Sequence, residues 1–491
     1  MTPGTRGAIG GALAAAFGMF TAWGFSVDDA LISGRVAAHL ARGVGYRFNA
    51  DGPSVDAVTP LGWAYLLAPF AGQGAVAAVR AASLLGGLAW LLAAAELGRR
   101  CAEHWVAPQR LGPLLCLLGI ALSLPLSAWA VAGMETGLVL ALGVGALVPG
   151  VCGAACAGVA AALRPELAPW AVVLSLGQAW VLRASLPRQA LAVALALVPA
   201  LAVALVRWLV FGRAVPLAVF AKPSDLGHGL SYAFGTLFLA GPPYLLLAGR
   251  AWRRVPKRAW AIALAFGVHV VVLIGIGGDW MPFWRLAVPT FPGLLWVGAA
   301  LAAQSGSTSN ALRLLPLLAS AGLLHYFRGD ATRSVRAEQA QRIAGASALL
   351  LGSTRVASVD IGWLGATEPA TGELHVVDLA GVTDPEVAYL SGGHTSKRLP
   401  PDFLERRSVD TLLLRRASPA ATLATPANVR ETATPPAFAQ LADSRWVYAV
   451  DRRVLGLRGA ERFEVVGTLP LGAADEYVVL RRPLPSQEST P

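Results

Sequence analysis

Charged residues are scarce in this chain. They make up 14% of its 491 residues, where a soluble domain carries about 25%. That shortage excludes an ordinary soluble enzyme and a disordered protein. There are only four cysteines, Cys101, Cys116, Cys152 and Cys156, all in the apolar part of the chain. Cys152 and Cys156 are one helical turn apart among Gly and Ala, where small residues serve close packing, so no disulfide framework is expected. No glycine loop of the phosphate-binding type, no nucleophile elbow and no metal-ligand spacing of histidines occurs. These absences argue against an ATP-driven transporter. Charges inside apolar runs are rare, Arg207 near one end being the exception, which disfavours proton-coupled transport.

What is abundant is hydrophobic sequence, 55% of the chain, in runs repeating from Ala8 to about Phe327. This is the pattern of a polytopic α-helical membrane protein. The charge is unevenly divided. Residues 1–329 carry 22 Lys and Arg against 10 Asp and Glu, whereas residues 330–491 carry 18 against 19. The basic excess therefore belongs to the apolar part, where loop cations set orientation and attract anionic lipid. A nucleic-acid partner is not expected.

A span needs about 20 apolar residues, and cationic loops face the cytoplasm. Together these rules give about eleven spans, near 8–25, 78–98, 111–131, 135–149, 151–163, 167–182, 189–211, 229–249, 259–277, 286–304 and 311–327. The N-terminus is then cytoplasmic and the tail periplasmic. The first span is read as uncleaved. The 11-residue run Leu61–Ala71 is too short to cross and reads as an interfacial or re-entrant helix within an outer loop, 26–77. Eight of the ten acids fall on the outer side: Asp28, Asp29, Asp51, Asp56, Glu135, Glu166, Asp225 and Asp279. Carboxylates gathered at one surface are what acid–base chemistry there requires.

After Arg328 the apolar runs shorten. Ser334–Leu351 reads as a helix, and Val356–Ile361, His375–Leu379, Thr411–Leu414, Trp446–Val450 and Tyr477–Leu480 read as strands of a small α/β domain, 330–491. Pro419–Pro436 reads as a loop and Pro483–Pro491 as a frayed end.

Several boxes at outer span ends could carry chemistry. Phe25-Ser-Val-Asp28-Asp29-Ala30 places two carboxylates where a helix begins. An Asp cap, worth about 1 kcal/mol, explains one of them and not two. A second carboxylate beside the first tends to raise one pKa, which suits a general base. Gly277-Gly-Asp279-Trp280-Met-Pro-Phe-Trp-Arg285 combines an acid, aromatic surfaces and a guanidinium. The same box also fits an interfacial aromatic belt. Arg213 and Lys222, in the segment Phe211–Lys222, are cations on the outer side, suited to a lipid phosphate or to simple anchoring. Gly133-Met-Glu135-Thr136 and Arg164-Pro165-Glu166 lie at the same surface, where Glu166 could simply pair with Arg164.

In their order along the chain these boxes resemble the membrane-embedded GT-C glycosyltransferases, in particular the mycobacterial-type terminal β-(1→2)-arabinofuranosyltransferases and their bacterial relatives. The resemblance runs through Asp28-Asp29-Ala30, Arg35, Gly45-Tyr-Arg-Phe-Asn49, Thr59-Pro60-Leu61-Gly62-Trp63, Gly133–Thr136, Arg164–Glu166, Pro216–Lys222 and Gly277–Pro282 with Arg285. It continues in the tail through Asp360-Ile-Gly362 and Val377–Glu386, with Gly62 as a small departure. It implies a polyprenyl-phosphate sugar donor, most simply arabinofuranose, and a periplasmic cell-envelope glycan as acceptor. A protein acceptor, another lipid-linked sugar, or a non-catalytic lipid-glycan binder or flippase are the alternatives. It further implies Asp28 or Asp29 as the base, and Lys222, Arg285 and Arg35 at the donor phosphate. Asp279, Trp280, Glu135, Glu166, Asn49 and Trp63 would contact sugar or acceptor. No cofactor is required. The carboxylates could hold a divalent cation, but no spacing demands a metal.

Overall fold

The computed structural model describes residues 1–102, 111–247, 249–372, 374–418, 441, 444–471 and 474–483. The segments read as a Pro-rich loop and as a frayed C-terminus lie outside these, apart from Pro483. The chain is mostly helical, with one small sheet near its C-terminal end.

A helix overlaps each of the eleven expected apolar segments. Among the described residues three helices, Ala75–Ala102, Leu186–Phe211 and Lys257–Gly275, are long and apolar enough to cross a membrane. A fourth crossing is formed if Gly112–Leu122 and Leu124–Val131, bent by 52°, count as one. The bend has a local cause. Pro125 has no N–H to give the preceding turn, and Ser123 caps the second piece by accepting from the Leu126 N–H. Along Leu186–Phe211 only Ala192, Ala196 and Arg207 are buried, while Leu201, Leu205 and Trp208 stand exposed on its surface. The expected interfacial helix is a short one, Trp63–Leu67, followed by a 3-10 turn, Ala68–Phe70. It exposes Tyr65, Leu66 and Phe70.

The tail differs from expectation at its start. The helix read as Ser334–Leu351 is the end of a 43-residue helix, Ser307–Leu349, that begins inside the apolar part. A division at 329/330 therefore falls within a continuous element. Beyond it come β1 (Arg355–Ser358), β2 (His375–Asp378), β3 (Thr411–Ala417), β4 (Glu464–Leu471) and β5 (Asp475–Arg481). Their order is β2-β1-β3-β5-β4. β1 runs parallel to β2 and β3, while β5 runs antiparallel to β3 and β4. Trp446–Val450 is not a strand. Trp446 makes one bridge to Arg416, and a helix, Ala449–Val454, follows.

The strands alternate between two cores, as period-two side chains must. Ala357, Val377, Leu412, Leu414, Val478 and Leu480 pack within the tail. Val356, Val376, Leu413, Tyr477 and Val479 join the large core shared with the helices. The helix Asp28–Ala41 lies along this junction. From it, Arg35 donates to the Leu374 carbonyl at 2.5 Å. Glu368 of the tail meets Arg35 and His39, each at 3.3 Å, and Arg42 at 2.7 Å. Burial alone would raise the Glu368 pKa. The His39 hydrogen bond and the two guanidiniums outweigh it and hold this carboxyl down at about 2.

Candidate active site

A cavity of about 810 Å³ opens at the end of the helices that the tail covers. That is within the range of small-molecule sites, roughly 300–1,000 Å³. Asp29, Glu135, Arg164, Glu166, Lys222, Asp279 and Arg285 all line it. They come from five separated stretches of chain, and Val382 of the tail completes the wall.

Asp29 reaches the cavity because its helix begins at Asp28. Asp29, Ile32 and Ser33 fall on one face at the i, i+3, i+4 spacing, and all three line the wall. Asp28, turned by about 100° from Asp29, is not part of that wall. Its carboxylate accepts from the Gly362 N–H at 2.8 Å and the Trp363 N–H at 2.7 Å, across the junction with the tail. A Cβ on residue 362 would stand 2.0 Å from the Asp28 carbonyl oxygen, so that approach needs glycine. Burial, then the charge of Asp360, pushes Asp28 up to about 7 against the pull of the two N–H donors. The expected raised carboxyl therefore belongs to the member of the pair outside the cavity.

Arg285 is aimed by a tight turn. Phe283 and Trp284 both take positive φ, 60° and 49°, a sparsely populated region for such residues. The Trp129 indole holds the turn by donating to the carbonyls of Pro282 and Phe283, at 3.1 and 3.2 Å. The guanidinium then bonds Asp279 at 2.7 Å and stands 3.8 Å from Asp29. Burial would raise Asp279, but Arg285, Lys222 and Arg164 outweigh it and keep its carboxyl below the usual range. Lys222 ends the short helix Leu217–Ala221. Among the described residues it acts on Asp279 through space and makes no ion pair, so its charge faces the cavity.

Elsewhere in the lining Arg164 pairs with Glu135 at 2.7 Å and with Glu166 at 3.5 Å, and donates to Thr136 at 3.2 Å. Arg164 thus lines the cavity itself, besides pairing with Glu166. Asp56 and Arg207 form a buried ion pair at 3.0 Å, and Arg207 also donates to the Thr59 carbonyl. That pair anchors Ala57–Pro60, four further residues of the wall.

Five expected site residues are placed elsewhere. Asp28 and Arg35 secure the tail, as described. Asn49 exchanges two hydrogen bonds of 2.9 Å with the Val376 backbone and acts as a splice to β2. Trp63 is fully buried in the core rather than presented to a ligand. Trp280 follows Asp279 but lies outside the cavity wall. It is 63% exposed and stacked on His228 at 4.1 Å. Among the described residues no group of three or more His, Cys, Asp or Glu is arranged to hold a metal ion.

Comparison with known protein families found no matching family model, and comparison with curated proteins found no match.

Proposed function

We propose that this chain is a membrane glycosyltransferase that moves a sugar, most simply arabinofuranose, from a polyprenyl-phosphate donor to a cell-envelope glycan. In this reading the apolar part crosses the membrane eleven times, with the N-terminus cytoplasmic and the tail periplasmic. The observation that carries the proposal is the convergence in one cavity of a carboxylate, Asp29, and a cation with no ion-pair partner among the described residues, Lys222. Such a site can take up a proton on one side and stabilise a leaving phosphate on the other. The apolar wall residues Val215, Val219 and Ile276 are themselves 43%, 55% and 42% exposed, which gives a prenyl chain a way in from the side.

The acceptor hydroxyl oxygen attacks the anomeric carbon of the donor. Its proton passes to the Asp29 carboxylate. The bond from the anomeric carbon to the phosphate oxygen breaks, and polyprenyl phosphate departs with the electron pair. Lys222 and Arg285 stabilise the charge that builds on that phosphate. Asp279 and Glu135 hold the two guanidiniums in place and offer their remaining lone pairs to sugar hydroxyls.

The test is transfer from polyprenylphosphoryl-arabinose to an envelope glycan extract, in purified membranes. Wild type is compared with Asp29→Asn at equal expression. Transfer that collapses in the variant supports the reading. Transfer unaffected by the change removes Asp29 as the base. Absence of transfer from any lipid-linked sugar tested overturns the enzymatic reading in favour of a lipid-glycan binder.

A further inference from the structure

The tail contributes more than a cover. Between its helix Pro385–Ala388 and the following helix Phe403–Arg406 lies a loop, Ser391–Arg398, whose shape is heavily determined. Gly392 sits at φ +101°, and a Cβ there would stand 2.2 Å from the Ser396 carbonyl oxygen, so the turn requires glycine. Gly393 and Ser396 exchange hydrogen bonds of 3.1 and 2.9 Å. The Thr395 carbonyl accepts from the Val450 N–H at 3.0 Å. Lys397 is fully buried, and its ammonium donates to the carbonyls of Ala388 and Leu390 at 2.8 and 3.0 Å. A buried lysine spent on two carbonyls, with no carboxylate bonded to it among the described residues, is a costly way to shape a loop.

The residue this loop holds out is His394. Its ring lies 5.7 Å from that of Trp280, whose ring in turn stacks on His228. The imidazole senses Lys222, Asp29 and Asp279, three members of the cavity wall. Burial, with Lys222 beside it, drives its pKa down to about 4, so it is neutral at physiological pH and can both donate and accept a hydrogen bond. The chain nearby is also docked: the ring of Tyr389 lies 4.9 Å from that of Phe220, two residues before Lys222.

We propose that His394 and the exposed ring of Trp280 form an acceptor subsite beside the cavity, next to Asp279 of its wall, taking a neutral sugar ring of a glycan chain. Trp280 offers an apolar surface for the C–H face of the ring, and His394 hydrogen-bonds a ring hydroxyl. The subsite is composite: one wall belongs to the helical part and the other to the tail. This inference rests on the glycosyltransferase reading and specifies which part of the molecule selects the acceptor.

The experiment is steady-state transfer by the full-length protein in detergent, varying a linear arabinofuranosyl oligosaccharide and polyprenylphosphoryl-arabinose in turn. His394→Ala should raise the acceptor KM about tenfold, as for loss of one hydrogen bond plus contact area, with the donor KM within about twofold of wild type. His394→Gln, which keeps a donor and an acceptor, should recover part of the loss. Gly392→Ala, which displaces the loop and leaves the imidazole intact, should reproduce the His394→Ala phenotype. An unchanged acceptor KM in His394→Ala, with wild-type transfer intact, overturns this subsite and leaves the enzymatic reading standing. A parallel rise in both KM values also overturns it, by showing a general structural role. No transfer by wild type overturns both proposals together.

Discussion

Asp29 Oδ2 lies 3.8 Å from Nη1 of Arg285, near enough for attraction and too far for a hydrogen bond. The guanidinium spends its short bond on Asp279, at 2.7 Å. Asp29 therefore keeps its lone pairs for a substrate proton. Asp29→Asn should lower transfer by about 10²–10⁴-fold, the usual span of general-base contributions, with little change in thermal stability. Single-turnover transfer together with a melting curve checks both halves of the statement.

Asp28→Asn should fail in a different way. An amide can accept from only one of the two N–H groups of Gly362 and Trp363 and turns its own NH₂ towards the other. A loss of about 1–3 kcal/mol is expected at the junction with the tail. Limited proteolysis should then cut the tail of the variant faster than that of wild type.

The same contact predicts a pH dependence. The folded-state pKa of Asp28 lies above its ordinary 3.8, at about 7, so the folded protein binds more protons between these values. The contribution of Asp28 to stability therefore falls as pH rises from about 4 to 7, and is flat above. Glu368, held at about 2, has the opposite sign: its contribution is full above about 4.5 and is lost on further acidification. The difference in melting temperature between wild type and Asp28→Asn should shift in favour of wild type from pH 7.5 to pH 5. A difference that stays constant with pH would contradict the assignment.

Lys222→Met should weaken donor use, because the cation freest to meet the leaving phosphate is removed. A fall of about 10²-fold in kcat/KM for the lipid donor is expected, with the protein still folded. Arg285→Lys should not restore an Arg285→Ala loss. A single ammonium cannot bond Asp279 and also stand beside Asp29 as the guanidinium fork does. Kinetics with varied donor separate the two cases.

Arg207→Met should destabilise the fold by about 3–5 kcal/mol, since it leaves the buried Asp56 carboxylate unpaired. Asp56→Asn combined with Arg207→Met should recover much of that loss. Thermal unfolding of the single and double variants measures the coupling.

The cavity was largely legible in the sequence. Asp29, Glu135, Glu166, Lys222, Asp279 and Arg285 are polar residues at the ends of apolar runs, where a helix end alone gives them little to do. Three of the five residues placed away from the cavity wall are decided by distant chain. Asp28, Arg35 and Asn49 find their partners more than 300 residues away, at Gly362, Leu374 and Val376, and no local spacing announces such pairs. His394 carried no signal of its own. The nearby Gly392-Gly393 pair, which marks a demanding turn, was the clue available. β4 escaped because Gly467 and Pro470 interrupt it and most of its side chains are not buried. β1, β2, β3 and β5 were readable as short β-branched and leucine-rich runs after the apolar part ends.

The helix Ser307–Leu349 runs without a break from the apolar part into the tail. At 1.5 Å per residue it is about 65 Å long. It works as a shared axle rather than a tether. Gly24, just after the first helix, accepts from the Arg336 N–H at 2.9 Å, so the axle is clamped to the rest of the molecule along its length as well as at its ends. An expression fragment cut near residue 330 would begin halfway along this rod and leave its clamped portion bare.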